Sequence, residues 1–275
     1  MASKSSRRIF VTGGSGNVGS AVVTAAVSQG HTVHALSRST VSDTALRSLG
    51  AVPVRGDLAA LDILAAEAAA ADAAAAVDAM ARALEATTKP LVVTSGTLVA
   101  RADPNGGVTD ETAPVNKEIP GYRRWEAEAH ALAWAARGVR VVALRMPMCV
   151  YGHGKSGPAI FLGVMAKLGV ALYVGDGATH VSAVHLDDAA RLYLLAAERG
   201  KAGDIFNCVS ATVAIREVVE AVGAALQLPC TVHHPGGSTA ENGSALYHGA
   251  DLFESPVMQQ GGGVGLGAGQ GAWVS

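Results

Sequence analysis

Aromatic residues are scarce in this chain of 275 residues and make up only 4% of it. Proteins that bind single-stranded nucleic acid stack bases on aromatic rings and attract phosphates with basic grooves. With few rings and a net charge of −2, the sequence predicts neither nucleic acid nor an anionic membrane surface as a partner. It also lacks an uncharged apolar run of about 18 residues, so we expect no membrane span.

Cysteine is also sparse. The three cysteines, Cys149, Cys208 and Cys230, show no CxxC spacing. An odd and scattered set indicates reduced thiols rather than a disulfide framework. The basic N-terminus is not followed by the apolar segment of a secretory signal. These features together predict a cytoplasmic protein.

The pattern over residues 8–57 is strand, helix, strand, helix, strand. Such alternation predicts a parallel, doubly wound α/β sheet, the Rossmann arrangement, with right-handed crossovers. The sheet resumes at residues 91–96 and, after a polar loop and a helix over residues 123–136, again at residues 139–145. Shorter elements follow up to residue 233. The glycine-rich end has no periodicity and predicts a disordered tail over residues 235–275.

The strongest motif is VTGGSGNVGSAVV, in which Gly14, Gly16 and Gly19 match GxGxxG. A predicted strand precedes it and a predicted helix follows, which is the context that a dinucleotide-binding loop requires. There the backbone approaches a diphosphate closely, and the positive end of the helix faces that anion. The predicted cofactor-binding residues of the loop are Thr12, Gly13, Gly14, Ser15, Gly16, Asn17, Val18 and Gly19.

The end of the second strand indicates which dinucleotide is bound. A carboxylate there would accept hydrogen bonds from the ribose hydroxyls of NAD, but the sequence has Ser37, Arg38 and Ser39. A guanidinium suits a 2′-phosphate, so Arg38 favours NADP, with NAD and a solvated surface arginine as the alternatives. Asp57, followed by Leu58, either accepts from the adenine amine or caps the next helix.

Several motifs in order carry a family resemblance. After the glycine loop come VRGDL, LVVTSGT, GYRRWEAEAHALA, LRMPMCVYG and VHLDDAARLY. In this order, residues 8–230 resemble the NAD(P)-dependent epimerase/dehydratase family, the extended or atypical short-chain dehydrogenases/reductases. The resemblance implies a Rossmann domain over residues 1–150 and a small substrate-binding lobe over residues 151–234. It implies no metal site.

The resemblance also implies catalytic residues. Tyr122 matches the family's proton-donating tyrosine, Ser95 or Thr97 matches the hydroxyl after the LVVTSG strand, and Pro147 matches the turn near the nicotinamide carboxamide. The family's lysine, four residues after the tyrosine, is Glu126 here. A carboxylate at that helical spacing faces the tyrosine and raises its pKa rather than lowering it.

The family's fourth strand, between the first strand and LVVTSG, is absent from the sequence pattern. Residues 61–87 are mostly alanine, which favours helix and is depleted in strands. We expect a helix there, broken near Asp72, and a missing fourth strand. The first strand would then pair directly with residues 91–94, or the two halves of the sheet would separate.

The sequence therefore predicts an NADP-dependent oxidoreductase or epimerase/dehydratase that acts on a small hydroxyl- or carbonyl-bearing molecule. Glu126 and the strand pattern leave two alternatives, a non-catalytic dinucleotide-binding module and an impaired family member. By family analogy, the helix over residues 123–136 is a candidate homodimer face.

Replacing the predicted acid tests its assignment. If Tyr122 transfers the proton, Tyr122→Phe lowers the turnover of a carbonyl substrate about 100-fold or more, because general acid catalysis contributes about 10²–10⁴. The measurement is the rate of NADPH oxidation with a panel of carbonyl compounds. An unchanged rate in the variant would show that the acid is another group.

Overall fold

The chain forms two compact units that alternate along the sequence. The computed structural model describes residues 6–60, 62–64, 66, 73–75, 77–104, 107–119, 124–153 and 157–233. The first unit comprises Met1–Gly96, Arg123–Met146 and His185–Cys208, and the second comprises the three intervening and terminal segments. The chain crosses between the two units five times, whereas the sequence predicts a single boundary at residue 150.

A seven-stranded parallel sheet forms the centre of the first unit. Its spatial order is β10-β6-β5-β4-β1-β2-β3, the doubly wound order that the sequence predicts. The strands are β1 (Arg8–Val11), β2 (Thr32–Ser37), β3 (Val52–Arg55), β4 (Ala73–Ala75), β5 (Pro90–Gly96), β6 (Arg140–Met146) and β10 (Ile205–Asn207). The central strands β5 and β6 are largely buried, since helices pack on them.

The helices of this unit follow their strands in the manner of successive βα crossovers. They are α1 (Asn17–Ser28), α2 (Thr40–Ser48), α3 (Ala79–Leu84), α4 (Arg124–Ala133) and α6 (Leu186–Arg199). Helix α2 begins earlier than its apolar residues suggest, since Ser39 accepts a hydrogen bond from the Ser42 N–H at 3.2 Å and caps it. Helix α4 continues into a 3₁₀ turn over Trp134–Arg137.

The fourth strand is shortened and not missing. Ala73–Ala75 form β4 between β1 and β5, paired with Ile9 to Val11 on one side and, at Ala74, with Leu91 on the other. The expectation of an absent strand, and of direct pairing between the first strand and residues 91–94, is therefore corrected. Two unpaired central edges cost more free energy than the poor strand propensity of three alanines, so backbone pairing overrides the local preference for helix.

The second unit contains two small sheets. One has the order β11-β9-β7, with β7 (Cys149–Tyr151), β9 (His180–His185) and β11 (Ala211–Ala214); the other pairs β8 (Ala171–Val174) with β12 (Cys230–His233). Helices α5 (Gly157–Leu168) and α7 (Ile215–Leu226) pack on these strands. The predicted tail over residues 235–275 lies outside the described residues. In the described part of the chain, no helix is both long and apolar enough to cross a membrane.

A buried ion pair joins α4 to β6 in the first unit. The Arg145 guanidinium donates to both carboxylate oxygens of Glu128, with an Nη2–Oε1 distance of 2.7 Å and an Nε–Oε2 distance of 3.0 Å. Both side chains are only 3% exposed. If one side chain is removed, the charge of the other is not solvated by water, so each group is stabilised by its partner.

Breaking this pair should destabilise the fold. We expect Glu128→Ala to lower the free energy of unfolding by about 3–5 kcal/mol, because Arg145 is left buried without a counter-charge. Urea unfolding followed by circular dichroism measures the loss. Glu118→Ala removes the partner of Arg101 in an exposed pair and should cost at most about 1 kcal/mol. Equal losses in the two variants would contradict the assignment.

Candidate dinucleotide site

The glycine loop connects β1 to α1 by a tight turn. Gly13 has a φ of +71°, a left-handed conformation that glycine adopts without steric cost. The Gly16 N–H then donates to the Gly13 carbonyl at 2.9 Å. The sequence prediction of strand, glycine turn and helix is confirmed at this position.

Gly14 and Gly19 are required because a Cβ at either position would lie too close to neighbouring atoms. A Cβ on Gly19 would lie 2.1 Å from the Gly13 oxygen and 2.9 Å from the Gly14 Cα. A Cβ on Gly14 would lie 3.0 Å from the Ala35 Cβ and 3.1 Å from a Leu46 methyl group. Gly19 therefore lets the first turn of α1 contact the turn itself, and Gly14 lets the turn pack on β2 and α2.

The N-terminus of α1 suits an anion. Gly16 is its N-cap, no side chain caps it, and its first turn carries no acidic residue. The first N–H groups of a helix have no intrahelical acceptor, and the helix dipole places positive charge there. These donors follow directly on the turn at Gly13, so the loop fits a diphosphate bound through backbone N–H groups.

The end of β2 is electropositive. Ser37 is buried, whereas Arg38 is exposed immediately after the strand. The nearest carboxylate along the chain, Asp43 on α2, forms an ion pair with Arg55. The group that β2 presents at its end is therefore the Arg38 guanidinium and not a carboxylate.

Asp57 has a local structural role. Its Oδ1 accepts from the N–H groups of Ala59 at 2.8 Å and Ala60 at 3.2 Å. These bonds stabilise the turn over residues 57–60 that follows β3. Leu58 is 64% exposed.

A cavity of about 330 Å³ adjoins the loop within the first unit. Its walls come from the loop, β1, β5, α1 and α6. The lining residues are Ile9, Phe10, Val11, Thr12, Gly13, Gly16, Asn17, Val18, Gly19, Val22, Val92, Thr94, Tyr193, Leu194 and Ala197. Most of these side chains are apolar, and the polar ones lie in the loop or in the pair Thr94 and Tyr193.

Thr94 and Tyr193 are site residues that the sequence analysis missed. The Thr94 Oγ1 and the Tyr193 hydroxyl are 2.6 Å apart and share a hydrogen bond. Burial raises the pKa of Tyr193 to about 12, and the hydrogen bond with Thr94 and the charge of Arg124 only partly offset this. Tyr193 is therefore neutral at physiological pH. Its position on the buried face of the amphipathic helix LDDAARLYLLAAERG was the available signal.

The described residues include only part of the predicted catalytic set. Tyr122 lies outside the described residues. Ser95 is 2% exposed, and within the described part of the chain its Oγ has no hydrogen-bond partner. Thr97 begins a 3₁₀ turn in the second unit, and Pro147 is buried after β6. Thr97 is partly exposed, so it is the more accessible of the two hydroxyl candidates.

The residues that could suggest a metal form a helix start instead. The His185 Nδ1 accepts from the Asp187 N–H at 3.2 Å and caps α6. The side chain that caps the start of α6 is therefore the His185 imidazole. Among the residues that the structure describes, no cluster of three or more His, Cys, Asp or Glu side chains could hold a metal ion.

Comparison with known proteins agrees with this geometry. A model of the NAD dependent epimerase/dehydratase family matches residues 9–82. An uncharacterised protein of Schizosaccharomyces pombe is 33% identical over 244 residues, which are 81% of this chain and 81% of that protein. The chain belongs to the NAD-dependent epimerase/dehydratase family. The resemblance inferred from the motifs is thereby confirmed.

Two further similar proteins extend the comparison. A 4-hydroxy-2-methyl-3-oxo-4-farnesyl-3,4-dihydroquinoline-1-oxide ketoreductase of Stigmatella aurantiaca is 31% identical over 228 residues, 72% of this chain and 67% of that protein. The solved structure of Thermus thermophilus UDP-glucose 4-epimerase in complex with NAD has a TM-score of 0.65 at 23% identity, and covers 82% of this chain and 85% of that one. This last likeness supports the Rossmann-like fold.

The loop makes a specific mutational prediction. Gly19→Ala places a methyl group 2.1 Å from the Gly13 oxygen, so the helix start must move away and the N–H groups lose their alignment. We expect NADPH affinity to fall at least tenfold, as measured by fluorescence titration. Gly163→Ala on α5 meets no atom within 4 Å and should leave affinity unchanged. Normal binding by Gly19→Ala would show that the loop is not the diphosphate site.

Proposed function

We propose that this chain is an NADP-preferring oxidoreductase that acts on a small hydroxyl- or carbonyl-bearing substrate. The observation that carries the proposal is the glycine loop, where the turn at Gly13 and the uncapped start of α1 form one backbone surface for a diphosphate. Family membership and the reductase among its relatives support the same reaction class. A small-molecule substrate, a homodimer and a cytoplasmic location remain predictions from the sequence.

The preference for NADP rests on Arg38. A guanidinium can donate two parallel hydrogen bonds to a phosphate, and it follows β2 where NAD-binding relatives of this fold carry a carboxylate. Because Asp43 is paired with Arg55, the charge of Arg38 is not neutralised by that carboxylate. NAD is the alternative, and the solved neighbour in complex with NAD shows that the fold accommodates it.

The chain's own residues would have three tasks. When bound, the nicotinamide supplies or accepts a hydride at its ring. The loop from Thr12 to Gly19 would hold the diphosphate, Arg38 the ribose phosphate, and Thr97 and Tyr122 the substrate oxygen and its proton. Ser95, which is 2% exposed, is the alternative to Thr97.

A second candidate function is a dinucleotide-binding module without catalysis. Glu126, on the first turn of α4, stands where the family resemblance implies a lysine. A carboxylate there opposes formation of a tyrosinate. Binding of NADPH without turnover of any carbonyl compound would favour this candidate, and turnover that Tyr122→Phe abolishes would exclude it.

Titration with both dinucleotides tests the proposal. We expect wild-type protein to bind NADPH more tightly than NADH. Arg38→Ala should weaken NADPH binding about 10- to 100-fold, since hydrogen bonds to charged groups contribute about 1.5–3 kcal/mol, and should leave NADH binding within a factor of two. Arg47→Ala, at an exposed arginine on α2, is the matched control.

The result also distinguishes the remaining alternatives. A folded protein that binds neither NADPH nor NADH would overturn the proposed function. Binding of both with equal affinity, unaffected by Arg38→Ala, would retain the oxidoreductase proposal and overturn the preference for NADP.

A further inference from the structure

The cavity of the first unit extends beyond the glycine loop into the apolar layer between the sheet and two helices. Its deeper walls are Ile9 on β1, Val92 on β5, Val22 on α1, and Leu194 and Ala197 on α6. Helices α1 and α6 pack on each other over this face of the sheet. A volume of about 330 Å³ lies at the lower end of the range of small-molecule pockets, which is about 300–1,000 Å³.

One polar feature interrupts the apolar walls. Thr94 is exposed although it lies on a central strand, because its side chain borders the cavity. Its Oγ1 shares one hydrogen bond with the Tyr193 hydroxyl. Each hydroxyl can donate once and accept twice, so this bond leaves the pair able to donate to or accept from a further group. A partly buried hydroxyl pair beside an apolar space marks where a ligand's polar atom would be satisfied.

We propose that this cavity binds a small, largely apolar molecule that carries one hydroxyl or carbonyl group, with the polar group on Thr94 and Tyr193 and the apolar body between α1 and α6. The proposal goes beyond the dinucleotide site because its deciding residues are on β5 and α6, outside the glycine loop. It does not depend on catalysis.

Calorimetric titration with two probes of similar size tests the proposal. Phenol has an aromatic ring and a hydroxyl, whereas benzene has the ring alone. We expect both to bind wild-type protein saturably at one site, with phenol about tenfold tighter, since one hydrogen bond contributes about 0.5–1.5 kcal/mol net. Absence of saturable phenol binding would overturn the proposal, and so would equal affinity for the two probes.

Two substitutions test the two parts of the site separately, one by removing a hydroxyl and the other by filling the apolar space. Thr94→Val should abolish the preference for phenol and leave benzene binding unchanged. Thr24→Val, at an exposed threonine on α1, is its control and should bind as wild type. Ala197→Leu should abolish binding of both probes because the leucine occupies the cavity, whereas Ala202→Leu, at an exposed alanine, should not. Unchanged binding in Ala197→Leu would overturn the proposal.

The fold of each variant is checked by its thermal unfolding midpoint. If Ala197→Leu does not fold, Val22→Ile is the second variant, because it adds one methylene to the wall formed by α1. It should lower the affinity for both probes, and unchanged affinity would also contradict the assignment.

The NADPH titration distinguishes this proposal from the proposed function. Phenol binding without NADPH binding removes only the oxidoreductase assignment, and NADPH binding without phenol binding removes only the cavity ligand.

Discussion

The structure of the first unit depends on one close approach, that of Gly19 on α1 to the Gly13 backbone. Only a residue without a Cβ fits there, since the atom would lie 2.1 Å from the Gly13 oxygen. This contact places the start of α1 directly over the end of β1, in the middle of the sheet. The position of the helix dipole, the depth of the cavity beneath the loop and the exposure of the first N–H groups all follow from it.

The loop and the order of elements were predictable because their causes are local. Glycine spacing, the apolar run before it and the helical run after it are contained in about 20 residues, and right-handed crossovers then fix the strand order. The contact between Thr94 and Tyr193 joins residues 99 positions apart, and no local pattern indicates it. The β4 strand was missed for a related reason, because its backbone pairing depends on neighbours that the alanine sequence does not reveal.

The alternation of side chains between the two faces of β5 bears on why the sequence did not decide between the hydroxyls of Ser95 and Thr97. Successive side chains on β5 point to opposite faces. Leu91 and Val93 belong to the core under α3 and α4, and Ser95, in register with Arg145, lies on that same buried side. Thr94 is on the other face with Val92 and borders the cavity. A shift of one residue therefore separates a hydroxyl that borders the cavity from one that lies on the buried side.

The backbone of β4 keeps the central sheet continuous. Its three residues pair with Ile9, Phe10 and Val11 of β1 and, at Ala74, with Leu91 of β5, so both neighbouring strands have ladder partners at this point. Backbone pairing requires no particular side chain, and a segment rich in alanine can therefore take this position against its preference for helix. Because β1 stays in the middle of the sheet, the glycine turn that follows it is also held at the centre.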